Sequence, residues 1–444
     1  MSNNSFSGHI KDKLIQQALE RKLKKNTQSD ARQTNPLQGG RNTSPIPESW
    51  SRFDQHAGYK QLQIIHKGST QLGISNPFFR LHTGIAGATT SIDGQQYINY
   101  ASYNYLDLSG DGRVSQAAKD AVDQYGTSVS ASRLVSGERP IHRQLEAALA
   151  ALYGVDDAIV MVSGHATNVT TIGYLFGAND LILHDELIHN STLVGAQLSG
   201  AKRLPFPHND YAALDKLLTE QRRHYERVLI VLEGLYSMDG DYPNLPEFID
   251  VKQKHRAFLM VDEAHSLGVL GAKGLGIREH FNVDSKAVDI CMGTLSKSLA
   301  GCGGYIAGES ALIEHLKFLA PGFLYSVGMP PQVAAPALAA LAILQQEPER
   351  VARLQALSRY FLSKAQGAGI DTGYSLGVAI IAAITGSSLS AARMSQALFN
   401  KGINVQPILY PAVPEKSARL RFFISCNHTE QQIDQTIAAY CEAM

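Results

Sequence analysis

The chain has 444 residues, and its 40 basic side chains balance 40 acidic ones. A balanced charge gives no reason to expect nucleic acid or an anionic membrane surface as a partner, so small ligands are favoured. Single hydrophobic cores stop growing at roughly 250–300 residues, so a chain of this length is expected to form two domains.

The four cysteines are scattered along the second half of the chain without a C-x-x-C pair, which argues against a disulfide framework and against a zinc site. Neither the N-terminus nor any later stretch holds the roughly 18 consecutive apolar residues that a membrane span needs. We therefore expect no bound metal, no membrane span and a cytoplasmic location.

Residues 1–50 are predicted to be an N-terminal extension that lies outside the catalytic fold. Apolar residues between Ile10 and Leu23 recur at spacings of three and four, which indicates an amphipathic helix. The polar stretch NTQSDARQTNPLQGGRNTSPIPES that follows has the composition of a flexible linker. A tolerated tail, which is common at chain termini, and a docking element both agree with this pattern.

Residues 51–110 are expected to form an N-terminal segment that packs on the catalytic domain. They precede the regular alternation of strands and helices. Within them, Asp93 and Gly94 separate two short β-like runs in TTSIDGQQYINY, a pattern that is typical of a β-hairpin with a tight turn.

Residues 111–330 are predicted to form the large domain. Helix-length stretches there alternate with six short apolar runs, AIVMVSG, DLILHD, VLIVLEG, AFLMVDEAH, DICMGTLSK and GGYIAGE. This alternation predicts an α/β domain whose mostly parallel sheet is covered by helices on both faces. Residues 331–444 are predicted to form a smaller α+β domain with three candidate strands, GVAIIAAITG, INVQPILY and RLRFFISC.

Polar residues cluster where the predicted strands of the large domain end, which is where ligands bind in open α/β sheets. One strand ends before Gly164, where backbone N–H groups at a helix start can bind an anion, although most such turns are only turns. Another strand ends at Asp262. A carboxylate at the end of a buried strand needs a cation or a hydrogen-bond donor, unless it only caps a helix.

Lys297 in GTLSK follows a third strand and lies between two hydroxyl-bearing residues. In isolation a lysine is most often a solvated surface charge, but a buried lysine tends to lose its charge and can then form an imine with an aldehyde. Pyridoxal phosphate requires an anion loop, a carboxylate able to protonate a pyridine nitrogen, and an imine-forming lysine. The ordered set of these features therefore points to that cofactor.

Three segments, EGLYSMDGD, VDEAHSLGVLG and GTLSKS, resemble the α-oxoamine synthases, a family of fold-type I pyridoxal-phosphate enzymes. The likeness extends from about Gly94 to near the C-terminus. It implies a large domain with a mostly parallel sheet of the seven-stranded type and a small C-terminal domain. It also implies a decarboxylative Claisen condensation of a small amino acid with an acyl thioester, which yields an α-amino ketone.

The resemblance implies a catalytic role for four residues. Lys297 would bind the cofactor covalently and move the α-proton of the substrate, and Asp262 would pair with the pyridine nitrogen. His189 in DELIHNS would stack on the ring, and His265 would contact its phenolic oxygen.

The remaining roles carried over by the resemblance concern binding. The further cofactor contacts would be Ser237 at the phenolic oxygen, backbone donors of Gly164 and His165 near the cofactor, and Thr294, Ser296 and Ser326 at the phosphate. Arg421 in ARLRFF would bind the amino-acid carboxylate, and Asn104 in SYNYL would contact the substrate.

The resemblance also implies partners. A homodimer with shared active sites is expected, in which Ser326 would reach the phosphate of the neighbouring subunit. The family segment before Met-Pro-Pro is usually richer in Ser and Thr than YSVGMPP, which weakens that contact. The extension at residues 1–50 has no counterpart in the minimal family pattern, and its basic stretch ERKLKK would suit docking of an acidic acyl carrier protein or of a synthase.

The sequence leaves the amino-acid substrate and the exact function open. SYNYL resembles serine palmitoyltransferase and SRLVSG is closer to the oxononanoate synthases, while Ala412 replaces a threonine that contacts substrate in some members. The motifs therefore leave glycine, alanine and serine as candidate amino acids. An aminotransferase or another pyridoxal-phosphate enzyme on the same fold is one alternative function, and a non-catalytic subunit of the family is another.

Overall fold

The structure is a computed structural model that describes residues 45–71 and 73–444. The helix predicted between Ile10 and Leu23, and most of the linker predicted after it, lie outside these residues. The α-helices of the described residues are α1 Ala57–Gln71, α2 Gly112–Tyr125, α3 Pro140–Tyr153, α4 Gly164–Leu175, α5 Asn190–Ser199, α6 Tyr211–Gln221, α7 Leu245–His255, α8 Ile277–Phe281, α9 Ser310–Leu319, α10 Pro321–Leu324, α11 Pro331–Gln346, α12 Glu349–Gly367, α13 Ser388–Asn400 and α14 Glu430–Ala443.

The strands of the described residues form three sheets. They are β1 His82–Thr83, β2 Thr89–Ile92, β3 Gln95–Asn99, β4 Asp157–Met161, β5 Leu181–Asp185, β6 Lys202–Phe206, β7 Val228–Glu233, β8 Phe258–Asp262, β9 Ile290–Thr294, β10 Gly304–Gly308, β11 Ile380–Ile384, β12 Ile403–Asn404, β13 Gln406–Ile408 and β14 Arg419–Phe423. Short helical turns cover Glu48–Ser51, Phe53–Gln55, Arg133–Gly137, Arg222–His224, Ser285–Ala287 and Glu415–Ser417.

The largest sheet has seven strands in the order β4-β10-β9-β8-β7-β5-β6. Only β10 runs antiparallel to its neighbours, so the mostly parallel α/β fold predicted from the sequence is confirmed. All six apolar runs predicted as strands are strands. The seventh, β6, was missed because it is an edge strand whose residues KRLPF are largely solvent-accessible and form no apolar run.

The central strand β7 shows why the apolar runs are continuous. All six of its residues are buried, and successive side chains point to opposite faces of the sheet. Val228, Ile230 and Leu232 enter one hydrophobic core, whereas Leu229 and Val231 enter the other. Burial of each such side chain contributes roughly 1.5–3 kcal/mol, so a strand between two helical layers gains from apolar residues at every position.

The predicted hairpin is present, and it joins distant parts of the chain. β2 and β3 pair antiparallel around Asp93 and Gly94, whose φ angles of 51° and 77° are those of a type I′ turn. β3 also pairs in parallel with β12. The segment predicted to pack on the catalytic domain therefore shares a sheet with the C-terminal part of the chain.

The C-terminal part contains the antiparallel sheet β11-β14-β13. The run INVQPILY divides into β12 and β13, which belong to different sheets. The first helix after the predicted boundary at residue 331, α11, packs against α2 and α3 of the large domain. Across residues 45–71 and 73–444, no helix combines the length and the apolar character that crossing a bilayer requires.

The carboxyl ends of the parallel strands meet at one edge of the large sheet. β7 ends at Glu233 and β8 at Asp262, and these two residues are direct neighbours in the strand register. Asp185 ends β5 and Thr294 ends β9 at the same edge. This arrangement brings acidic and hydroxyl side chains from four separate strands into one region.

Candidate active site

Lys297 lies in the loop that follows β9 and is half-buried. Among the described residues it forms no ion pair, and its Nζ lies 5.8 Å from the centre of the Tyr103 ring. Burial lowers the pKa of Lys297 to about 8, although the nearby Asp262 and Glu233 act to raise it. An amine with this pKa is partly uncharged near neutral pH and can act as a nucleophile or a base.

Asp262 is tied to His189 through two intervening side chains. Its Oδ2 accepts a hydrogen bond from Asn168 Nδ2 at 2.9 Å, and the same amide donates to Ser191 Oγ at 2.9 Å. Ser191 Oγ lies 2.7 Å from His189 Nδ1, which also accepts from the Ser191 backbone N–H. The ring and the carboxylate are therefore held in fixed relation to each other.

Burial and the neighbouring charges determine the protonation state of His189, and its hydrogen bonds determine the tautomer. Burial lowers the pKa of His189, while Asp262 acts to raise it and Lys297 to lower it further, so the ring is neutral at neutral pH. Because Nδ1 accepts hydrogen bonds, the single ring proton is placed on Nε2. The ring lies edge-on to that of His165, with centres 6.4 Å apart.

Glu233 is a third acidic group of this region, and the sequence analysis did not single it out. It is 4% exposed and lies near the backbone N–H groups of His189 and Ser237. Burial raises the pKa of Glu233 to about 8, and the neighbouring Asp262 raises it as well. One buried carboxyl thus lies close to the backbone of two residues that are predicted to contact the cofactor.

His265 lies on the loop after β8 and is packed among aromatic side chains. Its Nδ1 lies 2.8 Å from the hydroxyl of Tyr105, and its ring is parallel to that of Phe423 and edge-on to that of Tyr103. Burial lowers the pKa of His265 well below its usual value, and Lys297 lowers it further. When Tyr105 donates its hydroxyl to Nδ1, the neutral ring of His265 carries its proton at Nε2 and can donate to an oxygen from there.

The start of helix α4 forms an anion-binding arrangement with the loop after β9. The first backbone N–H groups of a helix, here those of Gly164 and His165, have no partner within the helix. A Cβ on Gly164 would lie 2.9 Å from Thr294 Oγ1, so only glycine lets the helix start approach this closely. Thr294 Oγ1 lies 3.2 Å from Ser296 Oγ, which places two hydroxyls beside the helix start.

Arg421 extends from β14 toward the large sheet. Its Nη1 donates to the backbone carbonyl of Ser237 at 3.0 Å, and its guanidinium lies 4.6 Å from the centre of the Phe423 ring. Its Nε is buried and has no hydrogen-bond partner among the described residues. Burial lowers the pKa of Arg421, and Tyr103 and Tyr105 act to raise it. A buried guanidinium with an unused donor is suited to bind a carboxylate.

Asn104 and Ser326 are also predicted site residues, but their hydrogen bonds go to residues outside the predicted site. Asn104 is buried, and its side chain hydrogen-bonds within its own part of the chain, donating to Ala86 O and Ser109 Oγ and accepting from Leu108 N. These bonds indicate a structural role for Asn104. Its contact with the substrate stays a prediction. Ser326 lies on the surface, where its hydroxyl donates to the carbonyl of Val327 at 3.3 Å. It makes no hydrogen bond to the other predicted site residues.

The residues at this edge fit pyridoxal phosphate. The donors at the helix α4 start and the hydroxyls of Thr294 and Ser296 suit a phosphate, and the Asp262 carboxylate suits a protonated ring nitrogen. Lys297 supplies an amine of lowered pKa for an aldehyde, and the unpartnered Nε of Arg421 suits the carboxylate of an amino acid. The fold and this donor set define a fold-type I pyridoxal-phosphate enzyme.

Comparison with known proteins identifies the family. Residues 95–439 match the family model described as aminotransferase class I and II. The chain is 39% identical over 375 residues to 8-amino-7-oxononanoate synthase of Symbiobacterium thermophilum, covering 84% of this chain and 95% of the relative. It is 42% identical over 351 residues to the enzyme of that name from Fervidobacterium nodosum, covering 78% and 88%.

Solved structures give the same result. A serine palmitoyltransferase from Sphingomonas wittichii matches with a TM-score of 0.83 and 30% identity, covering 87% of this chain and 97% of that one. An 8-amino-7-oxononanoate synthase from Francisella tularensis matches with a TM-score of 0.67 and 27% identity, covering 78% and 97%. The chain belongs to the aminotransferase class I and II family and, within it, to the α-oxoamine synthases. It is a pyridoxal-phosphate-dependent acyltransferase that condenses an amino acid with an acyl thioester with loss of carbon dioxide.

Several residues of the site carry no signal of their own in the sequence. Glu233, Tyr103 and Tyr105 lie in or next to segments that the sequence analysis quoted, but nothing in their spacing marks them as neighbours of Lys297. Asn168 and Ser191 lie near the starts of helices α4 and α5 and become adjacent only when the two helices pack. The position of Glu233 at a strand end, as for Asp262, is the signal that could have found it.

The lowered pKa of Lys297 can be tested in cofactor-free protein by competitive labelling with an amine reagent over a range of pH. We expect Lys297 to titrate at about pH 8, below the ordinary lysine value of 10.5, because burial disfavours its charged form. Asp262→Asn should lower this pKa further, because it removes the strongest attraction for the ammonium group.

Lys364 provides the internal control for this measurement. It is exposed and paired with Asp434, which raises its pKa, so its labelling should begin at a higher pH than that of Lys297. A midpoint for Lys297 at or above 10.5 would show that its amine is solvated and would contradict the assignment.

Proposed function

We propose that Lys297 holds the cofactor and moves the α-proton of a small amino acid, taking it at Nζ and returning it after the new carbon–carbon bond has formed. Bound pyridoxal phosphate would supply an electron-withdrawing ring that stabilises negative charge on the α-carbon. The observation that supports Lys297 most directly is its lowered pKa in a buried region where it forms no ion pair with the described residues. An amine with a pKa near the working pH is suited to both directions of proton transfer.

Asp262 and the two histidines are proposed to orient the cofactor. Asp262 would hold a proton at the ring nitrogen, and its hydrogen bond from Asn168 leaves the carboxylate further acceptor capacity. His189, neutral and fixed by Ser191, presents an aromatic face that can stack on the ring. His265, with Ser237, would donate to the phenolic oxygen, which a neutral imidazole can do through Nε2.

Arg421 is proposed to bind the carboxylate of the amino acid. Its guanidinium is held by the carbonyl of Ser237 and by the ring of Phe423, and its Nε remains available. Binding of a carboxylate would compensate the loss of solvation that burial imposes on this cation. The side chain of the amino acid is not defined by these contacts, so glycine, alanine and serine all remain candidates. Product masses from a grid of these amino acids against acyl thioesters of several lengths would distinguish them.

The central test is the variant Lys297→Ala. We expect thioester-dependent release of carbon dioxide to fall by at least about a thousandfold, because the variant loses both the covalent attachment and the proton carrier. Lys286→Ala is the control, since Lys286 is exposed and lies in the short turn before β9. Product formation by Lys297→Ala at a near-normal rate would refute the assignment.

The proposed assembly is a homodimer with shared active sites. Large apolar side chains are left exposed in the N-terminal segment and just before it, where Trp50, Phe53 and Phe79 are 78%, 94% and 97% exposed. Tyr325, next to Ser326, is 88% exposed. Exposed apolar groups of this size support a protein interface, and one that covers Tyr325 would carry Ser326 to the neighbouring subunit.

Light scattering should give a solution mass near twice the 48.2 kDa of the chain. Tyr325→Asp is expected to shift the protein toward the monomer, because burying an unpaired carboxylate in an interface is costly. It should also weaken cofactor binding if Ser326 acts across the interface. A fully active 48.2 kDa species would contradict the dimer.

We further propose that residues 1–50 dock an acyl carrier protein that presents the acyl thioester. The support is the basic stretch ERKLKK, whose charge complements an acidic carrier surface. A tail without function is the alternative, and coenzyme A would then be the expected carrier of the acyl group.

Deletion of residues 1–50 separates these possibilities. With the same acyl group on a carrier protein and on coenzyme A, we expect the deletion to raise KM for the carrier-bound donor about tenfold and to leave the coenzyme A donor unchanged. For the intact chain, added salt should also raise KM for the carrier-bound donor, because salt screens surface charge. Equal use of the carrier-bound donor by both proteins would rule out docking through this segment.

A further inference from the structure

His208 is not one of the predicted site residues, and it lies between two carboxylates beside the site. His208 follows β6, and its side chain is only 10% exposed. Its Nδ1 lies 2.9 Å from Asp185 Oδ1 and its Nε2 lies 2.8 Å from Asp241 Oδ2. Asp185 and Asp241 are themselves almost fully buried. Both ring nitrogens therefore face carboxylate oxygens in a region with little access to water.

An imidazolium satisfies this geometry, because its two N–H groups can each donate to a carboxylate. A neutral imidazole has one N–H, so one of the two contacts would bring a nitrogen lone pair against a carboxylate. Two buried carboxylates also need a cation between them. Burial alone would lower the pKa of His208, but the hydrogen bonds to Asp185 and Asp241 raise it to about 10.

Within the described part of the chain, the other groups around His208 do not supply a second cation. Glu186 Oε1 accepts the backbone N–H of His208 at 3.1 Å, and Asn209 donates its backbone N–H to Asp185 and its side-chain amide to Asp241. The rings of Tyr236 and Tyr374 lie against the imidazole at 4.6 and 5.7 Å between centres. The next carboxylate, Asp239, is neutralised by Arg419 at 2.5 Å.

Each of the two aspartates is hydrogen-bonded to a chain segment next to a predicted active-site residue. Asp185 Oδ1 also accepts the backbone N–H of Leu187, two residues before His189. Asp241 closes the loop that carries Ser237, because its backbone carbonyl accepts the N–H of Tyr236 at 2.8 Å. The segment before His189 and the loop around Ser237 are thus joined through one imidazolium.

The loop from Ser237 to Asp241 also contacts both arginines of β14. The carbonyl of Ser237 accepts from Arg421, and the carbonyl of Met238 accepts from Arg419 at 2.9 Å. Gly240 has a φ of 74°, and a Cβ there would lie 2.1 Å from the carbonyl oxygen of Ile380 in β11. The loop is therefore pressed against the C-terminal sheet, and a shift of the loop would move the partner carbonyl of Arg421.

We propose that His208 is a positioning residue for amino-acid binding, and that the Asp185–His208–Asp241 clamp holds the loop that orients Arg421. This inference rests on the proposed function of Arg421 as the carboxylate-binding residue. His208 itself touches none of the groups predicted to contact substrate or cofactor. Its effect is transmitted through the loop.

The test measures amino-acid binding without turnover, from the change in cofactor absorbance on adding the amino acid in the absence of acyl thioester. His208→Gln is expected to raise the amino-acid dissociation constant about tenfold and to change KM for the acyl thioester less than about twofold. Asp241→Asn should have a similar effect. The double variant should also be weakened about tenfold rather than a hundredfold, because the two residues act as one unit.

A second readout does not involve the cofactor. In cofactor-free protein, hydrogen–deuterium exchange of residues 234–241 should be about tenfold faster in His208→Gln than in the unaltered chain. His255→Gln is the matched control, because His255 is equally covered, is paired with Asp215 at 2.7 Å and lies at the end of α7. It should leave exchange at 234–241 and amino-acid binding unchanged.

The outcomes separate this inference from the proposed function. If His208→Gln lowers only the thermal stability, with exchange and amino-acid binding as in the control, the clamp is merely structural and the inference is overturned. Equal weakening of amino acid and thioester would overturn it too. If Arg421→Gln fails to weaken amino-acid binding while His208→Gln speeds exchange, the role of Arg421 is wrong and the clamp remains a loop-holding device without the proposed consequence.

Discussion

The active site depends on keeping one amine and two carboxyls in a shared buried region without a close ion pair between them. Glu233 and Asp262 are neighbours in the sheet register, and both interact electrostatically with Lys297. Burial outweighs the attraction of the two acids, so the pKa of the lysine falls, and burial also keeps a proton on Glu233. A direct salt bridge would instead stabilise the ammonium form and make the lysine a poorer base.

The same balance between burial and neighbouring charge explains the protonation states of three histidines. His189 and His265 are buried near Lys297 and Arg421, which disfavours any further positive charge, so both rings are neutral. His208 lies between two carboxylates and away from the cations, so it is charged. Three imidazoles in one part of the molecule therefore differ in protonation because each faces groups of a different charge. The neutral rings suit contact with an aromatic cofactor, and the charged ring suits a structural clamp.

The loop between Ser237 and Asp241 connects the two parts of the chain at the site. It is bonded to β14 through both arginines, and the carboxylate of Asp241 joins it to His208, which follows β6 of the large sheet. Parallel strands place such loops at one edge of the sheet, where they can be linked sideways by side chains. The site is thus precise because its positioning groups are buried and hydrogen-bonded to one another, and the C-terminal sheet is fixed to them through the loop.

Much of this protein could be predicted from local pattern. The six apolar runs of the large domain, the hairpin at Asp93 and Gly94, and the three-strand signal near the C-terminus all depend on side-chain periodicity and turn chemistry, which the sequence displays directly. The family, the cofactor and the reaction followed from short motifs, because the chemistry requires particular residue types at strand ends. Lys297 and Asp262 belong to this class.

Other features were decided only by the tertiary structure. The edge strand β6 has no apolar run, and the division of INVQPILY between two sheets depends on which partner each half meets. Glu233, Asn168 and His208 acquire their roles from neighbours that are between 4 and 94 positions away in the chain. The amino-acid sequence by itself determined the strands, the turns and the reactive residue types, since these follow from local periodicity and motif. Burial and charge at each site residue were decided by packing, because the energy of a titratable group depends on what surrounds it in space.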